Sequence, residues 1–317
     1  MHFTRHVRAI GGATFVFEQQ QSNSASLDVS QSIAIGCDPV LCPKDHVQDY
    51  GIFKTQRLQA PSLLSESDLE HVDIWLLTHG HDDHLDEFGL EKILKGKQSS
   101  IIVAHPGVEK LLTKALKQTS TSFGDRQVHW LSPQQEVEFE DLNGFHVKIR
   151  AVHAFHGKSK FFGSILPRGN GNGYLVELKE VYGKNSHTPS SSNQDVITSS
   201  NSSTRFYVTG DHVFNEENIL QDTNELFSAP LDFIITNGGE ATVERIPYGI
   251  GSLLHLVMGP ITNGETHIRA MHERIRPKQT FVVHHGTFQH YPQTYTRETF
   301  EVSSGIKVLF AGDDVEV

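Results

Sequence analysis

Cysteine is nearly missing from this chain of 317 residues: only Cys37 and Cys42 occur, separated by Asp38-Pro39-Val40-Leu41. A lone close pair makes no disulfide framework, so a reducing compartment is expected, with both thiols as packing residues rather than ligands. No apolar run approaches the roughly 20 residues of a membrane span. The opening Met1-His2-Phe3-Thr4-Arg5 lacks a signal-peptide core, and together these absences predict a cytoplasmic protein. Basic residues are also in deficit, 27 Lys and Arg against 38 Asp and Glu, a formal charge of −11. That balance argues against general nucleic-acid binding, which concentrates cations along a phosphate backbone. A small-molecule partner is expected instead; the sequence leaves the oligomeric state open.

What is present is alternation of strand and helix in two passes, read as a single domain over 1–317. Val7 to Ile10, Thr14 to Glu18 and Ile33 to Cys37 read as strands, broken at Gly11-Gly12 and by a polar turn from Gln19 to Ser26. Leu85 to Leu94 reads as a short helix and Ile101 to Ala104 as a buried strand. Pro106 stands where a first helical residue would, and Val108, Leu111, Leu112, Ala115 and Leu116 form one apolar stripe. Further strands are expected at Val128–Leu131, Val137–Phe139, Phe145–Phe155, Tyr174–Leu178, Phe206–Thr209, Phe233–Thr236, Phe281–His284 and Val308–Phe310. A last helix spans Thr266 to Ile275, with Thr262 or Asn263 as its cap. Residues 183–204, rich in Ser, Asn and Thr, predict a mobile surface insertion.

The stretch Thr78-His79-Gly80-His81-Asp82-Asp83-His84 follows the apolar run Asp73-Ile74-Trp75-Leu76-Leu77. Imidazole and carboxylate are the donors that Zn²⁺ and related divalent cations take. Crowding them into one turn costs repulsion and desolvation unless a cation compensates. In an extended loop His79 and His81 reach one ion, while Asp83 and His84 face a second. Further donors end other apolar runs: His156 after Phe155, Asp211 after the Phe206-Tyr207-Val208 run, and His284 after Phe281-Val282-Val283. Asp38 ends the Ile33 to Cys37 strand and is placed to orient a ligand histidine through its free ring nitrogen. His153 rivals His156, and His285 rivals His284.

With these motifs in this order the chain resembles the metallo-β-lactamase superfamily. Within it the chain is similar to the L-ascorbate-6-phosphate lactonase-like branch, itself related to N-acylphosphatidylethanolamine phospholipase D. The branch markers are Ile10-Gly11-Gly12-Ala13-Thr14-Phe15, Gly36-Cys37-Asp38-Pro39, Asn237-Gly238-Gly239 and Gly259-Pro260-Ile261-Thr262. The resemblance spans roughly Ile10 to His290 and implies an α/β fold, an αβ/βα sandwich of two mixed β-sheets flanked by helices with a two-metal site at one edge. It also implies roles: His79, His81 and His156 on metal one, Asp83, His84 and His284 on metal two, Asp211 bridging. The chain departs from the family at His212, where relatives usually carry Thr, and at His285, where they often carry Tyr.

The function expected is that of a binuclear metal-dependent hydrolase, with zinc preferred over manganese, in which a metal-bridging hydroxide attacks a small ester, lactone or phosphodiester. Asp83 and Asp211 carry the catalytic role among the ligands. Lys158, Lys160, Arg168, His212, His285 and His290 are the candidate substrate contacts, the three cations suiting an anionic substrate beside Phe161 and Phe162. Two other classes reuse this donor set: a mononuclear iron oxidoreductase and a catalytically silent metal-binding protein.

Overall fold

Long apolar runs and short alternating ones divide this chain into two kinds of strand, and the division sets the architecture. The computed structural model describes residues 2–22, 31–49, 54–65, 67–119, 126–155, 170–181, 203–215, 228–241, 260–291 and 293–317. The first half runs β1 (His2–Gly11), β2 (Thr14–Ser22), β3 (Ser32–Cys37), β4 (Val47–Asp49), β5 (Lys54–Gln56), β6 (Ile74–Leu77), α1 (Glu87–Lys95), β7 (Ile101–Ala104), α2 (Glu109–Thr119) and β8 (Val128–Trp130). The second runs β9 (Glu136–Leu142), β10 (Phe145–Phe155), β11 (Asn170–Glu180), β12 (Ser203–Val208), β13 (Phe233–Asn237), α3 (Glu265–Ile275), β14 (Gln279–Val283), β15 (Ile306–Val308) and β16 (Asp314–Glu316).

Two seven-stranded mixed sheets result, ordered β16-β1-β2-β3-β6-β7-β8 and β15-β14-β13-β12-β11-β10-β9, with β4 and β5 as a separate ribbon. Each sheet is antiparallel at one end and parallel at the other: β3, β6, β7 and β8 pair parallel in the first, β12, β13, β14 and β15 in the second. The parallel strands β6 and β7, Ile-Trp-Leu-Leu and Ile-Ile-Val-Ala, are buried throughout, as strands covered on both faces must be. By contrast the edge strand β9 alternates exposed and half-buried residues.

Between the sheets lies one apolar layer, to which Phe17 of the first sheet and Phe206 and Phe233 of the second contribute, ring centroids 4.9 and 5.5 Å from Phe17. Each such buried ring stabilises by about 1.5–3 kcal/mol relative to exposure. On the outer face of the first sheet, Trp75, Leu77 and Ile102 meet Leu90 and Ile93 of α1 and Leu112 of α2. On the second, Ile234 meets Met271 and Ile275 of α3. The layers are those of an αβ/βα sandwich, as expected. Among the described residues no helix is long and apolar enough to cross a membrane.

Local departures have local causes. The polar turn expected from Gln19 starts later, because Gln19 and Gln20 pair with Ile33 and Ser32. Helix α1 starts at Glu87 rather than Leu85, since Asp86 takes the cap position and accepts the Gly89 N–H at 2.7 Å. Pro106 opens a short 3₁₀ turn, Pro106–Val108, and α2 follows it. Neither Thr262 nor Asn263 caps α3. Gly264 does, its N–H donating to His267 Nδ1 at 3.2 Å, while Asn263 Oδ1 accepts from Phe214 N and Thr262 Oγ1 from Ala241 N. Strand β15 is displaced toward Ile306 and ends at Val308, and Ser203 and Thr204, read as the end of the insertion, begin β12. The rest of that insertion, 183–202, lies outside the described residues. Both cysteines are buried and unpaired.

Gly89 fixes the seating of α1 on the loop after β3: a Cβ there would lie 1.6 Å from the Pro39 carbonyl oxygen. Gly89→Ala is therefore expected to destabilise by about 3 kcal/mol, the upper range of core overpacking. Urea unfolding checks this, and an unchanged midpoint would mean that α1 shifts freely.

Candidate metal centre

Five strands deliver polar residues to one edge through their carboxyl ends. Asp38 follows β3, His79 follows β6, Asp211 comes shortly after β12, Asn237 ends β13 and His284 follows β14. In open parallel sheets this is where ligands bind, since side chains leaving adjacent strand ends converge there. Asp38 and His284 hold left-handed backbone, φ 41° and 61°, a conformation that costs a non-glycine residue about 1–3 kcal/mol and that packing must impose. Gly210, at φ 58° before Asp211, passes so close to the Asn172 carbonyl that a Cβ would lie 2.7 Å from it.

Beside a three-donor group of Asp38, His79 and His84, two that share no residue with each other form at this edge. His79, His81 and Asp211 make one; Asp83, His84 and His284 make the other. His79 Nε2 lies 2.9 Å from His81 Nδ1, and His84 Nε2 lies 3.1 Å from His284 Nε2. Nitrogens sharing a tetrahedral zinc with bonds of about 2.0–2.1 Å stand about 3.3 Å apart, so both pairs fit a common cation. Asp211 spans the groups: Oδ1 is 2.9 Å from His84 Nε2 and Oδ2 is 3.8 Å from His79 Nε2. Asn237 Nδ2 donates to Asp211 Oδ1 at 2.9 Å and holds it. Asp83 Oδ2 lies 3.6 Å from His284 Nε2.

The rings are oriented from behind. His84 Nδ1 donates to Asp38 Oδ2 at 2.8 Å, and Asp38 also accepts from Thr78 N at 2.8 Å and from the Thr78 hydroxyl. Thr78 Oγ1 lies 3.0 Å from His79 Nδ1. Asp38 meets His84 through the ring nitrogen opposite the donor group, the relation of an orienting carboxylate. Burial alone would strip the proton from His84, yet the charges and hydrogen bonds of Asp211 and Asp38 outweigh it and hold the imidazole well above its usual range. Asp83 is opposed by burial as well, and hydrogen bonds from His284 and His290 drive its carboxyl well below the usual value. Burial pushes His284 down, against the pull of Asp83.

The other sequence-derived candidates separate. His290 comes to the centre, Nε2 3.2 Å from Asp83 Oδ2 and Nδ1 2.9 Å from Thr55 Oγ1. His285 does not: its Nε2 bonds the Leu309 carbonyl at 3.1 Å and its ring stacks on Tyr295. His212 is buried and accepts the Phe155 N–H on Nδ1 at 3.1 Å, which fixes the proton on Nε2. His153 is half-buried on β10 with its ring stacked on Phe155 at 4.0 Å. His156, Lys158, Lys160, Phe161, Phe162 and Arg168 lie outside the described residues.

Sequence reasoning missed Tyr291, whose hydroxyl oxygen lies 2.8 Å from His284 Nε2 and 3.2 Å from Asp83 Oδ2. It also missed Thr78 and Asn237 as supports. Thr78 opens the histidine motif and Asn237 ends an apolar strand, as the expected ligands do, so the same strand-end signal would have found both.

The chain belongs to the β-lactamase superfamily: the sequence profile of the beta-lactamase superfamily domain matches residues 35–285. Solved structures share the fold across nearly the whole chain. An isothiocyanate hydrolase from Delia radicum gut bacteria is 17% identical, TM-score 0.58, covering 98% of each chain. A protein from Veillonella parvula DSM 2008 described as a possible metal-dependent hydrolase is 19% identical, TM-score 0.59, covering 100% of each. The diiron β-hydroxylase CmlA from Streptomyces venezuelae is 12% identical, TM-score 0.55, over 99% of this chain and 54% of that one. No curated protein sequence matches significantly.

Proposed function

We propose that this protein is a binuclear metal-dependent hydrolase acting on a small ester, lactone or phosphodiester. The observation that carries the reading is the sharing of Asp211, one oxygen turned toward each three-donor group. His79 and His81, joined by His156, would hold one ion; Asp83, His84 and His284 would hold the other; Asp211 would bridge. Zinc is the preferred ion, because imidazole and carboxylate at tetrahedral spacing suit it. A pair of divalent ions supplies hydroxide at neutral pH by lowering the pKa of water from about 15.7 toward 7, and stabilises charge growing on a carbonyl or phosphoryl oxygen. The chain's own groups do the rest: Asp83 would hold the attacking water's hydrogen by a hydrogen bond, and Asp38 and Thr78 fix the rings. The lactonase-like sequence markers favour a lactone among these substrates, and Lys158, Lys160 and Arg168 would clamp an anionic one.

Elemental analysis after dialysis against zinc or manganese, followed by a screen of lactones, phosphodiesters and carboxylic esters, tests this reading. Two ions per chain with hydrolysis support it. One iron per chain with oxygen-dependent turnover would replace it with an oxidoreductase, and no bound ion would leave a silent protein.

The proton on His84 gives metal binding a pH dependence. Its raised folded value means that, in the metal-free protein, it stabilises fully below its unfolded value of about 6.5, and this contribution is lost as pH rises through the folded value. A ligand nitrogen must give up that proton, so zinc stabilisation is expected to grow with pH, by about 1.4 kcal/mol per pH unit for one displaced proton. Thermal unfolding at fixed zinc between pH 6 and 8 measures it. A zinc-induced shift independent of pH would remove His84 from the ligand set.

A further inference from the structure

We propose that Tyr291 is the hydrogen-bond donor to the oxygen on which negative charge builds during hydrolysis, making it a catalytic residue at the Asp83, His84 and His284 group. The proposal rests on the two-ion reading above. Its ring is 3% exposed and packs with Val40, Cys42, Ala241 and Phe288, so the direction of the phenol is set by the core and not by solvent. The hydroxyl oxygen lies 2.8 Å from His284 Nε2 and 3.2 Å from Asp83 Oδ2, two donor atoms of one group. An atom that close to both faces whatever the group holds, the position from which a donor stabilises an oxyanion.

Holding Asp83 in place is not what requires the phenol. His290 contacts the same Asp83 oxygen at 3.2 Å and is itself anchored to Thr55 on β5 at 2.9 Å. Adjacent residues of one loop therefore divide the work: His290 positions the carboxylate, and the Tyr291 O–H, which donates to Asp83 Oδ2 here, turns to an incoming oxyanion. A phenol is neutral and donates without first losing a proton, which suits tetrahedral or phosphoryl oxyanions alike.

The test compares wild-type protein with Tyr291→Phe, which keeps the packed ring. Zinc content is read by elemental analysis and the affinity for inorganic phosphate, a tetrahedral oxyanion, by calorimetry on the zinc-loaded proteins. Two zinc ions are expected in both, with phosphate bound about tenfold or more weakly by the variant, the factor contributed by a hydrogen bond to a charged group. Equal phosphate affinity, or no phosphate binding by the zinc-loaded wild type, overturns the proposal. So does loss of an ion from the variant alone, which would make the phenol a ligand. Absence of zinc from the wild type would instead overturn the two-ion reading on which it depends.

Discussion

Asp211→Ala protein is expected to fall from two bound ions to fewer than one and to lose at least about 10³-fold in turnover, while remaining folded. Two dications left without a shared carboxylate repel by on the order of 10 kcal/mol at the effective dielectric of a protein interior. That exceeds what the remaining donors, the Asp83 carboxylate and neutral imidazoles, can offset. In the metal-free protein the effect is different. Asp211 Oδ1 pairs with the protonated His84 at 2.9 Å and accepts from Asn237 Nδ2, so removing it breaks a buried ion pair at a cost of about 3–5 kcal/mol. Circular dichroism in chelator should therefore show a folded protein with a lowered melting temperature. Zinc, which stabilises a folded protein in proportion to the logarithm of one plus its concentration over its Kd, should raise the melting temperature of the wild type only. Two retained ions and near-normal turnover would take Asp211 out of the centre.

Most of the residues that converge at this edge were legible in the sequence, for a physical reason. His79, His81, Asp83 and His84 are neighbours in the chain, so their convergence is a local property readable from spacing alone. Asp38, Asp211 and His284 were found because each ends an apolar run, and parallel strands deliver such residues to one edge. Spacing alone left His284 and His285 as rivals, since both follow the same strand, and the choice of His284 came from the family resemblance. The left-handed backbone at His284 turns its ring toward His84, while His285 turns into the contact with Leu309. Tyr291 left no pattern at all. Its place depends on the loop after β14 folding back against Asp83, a contact between distant segments with no periodicity to announce it. The same holds for Gly89, whose need for a missing side chain is created by Pro39 on another element. The caps of α3 were misread because Thr262 and Asn263 spend their side chains on Ala241 and on Phe214 and Thr236, which sequence does not place nearby.

Asp38→Ala is expected to produce the second large effect, this time on both stability and metal binding. Asp38 is buried, accepts the Thr78 N–H and O–H, and holds His84 Nδ1 at 2.8 Å. Removing it breaks a buried ion pair, which typically costs about 3–5 kcal/mol, because the partner is left uncompensated. It also frees the His84 ring to rotate, and loss of such an orienting carboxylate lowers metal affinity about 10–100-fold. Asp38→Asn separates the two consequences. Thr78 N bonds one carboxylate oxygen and His84 Nδ1 the other, so an amide of the same shape keeps one of these two acceptors, and urea unfolding in chelator should place this variant between alanine and wild type. Its carbonyl is a weaker acceptor than a carboxylate and makes the imidazole a poorer donor, so zinc affinity should still fall. Competition with a chromogenic chelator measures that affinity, and urea titration in chelator measures stability. Wild-type zinc affinity in both variants would show that the ring of His84 is held by the packing around it and that Asp38 serves only the β3 and β6 strand ends.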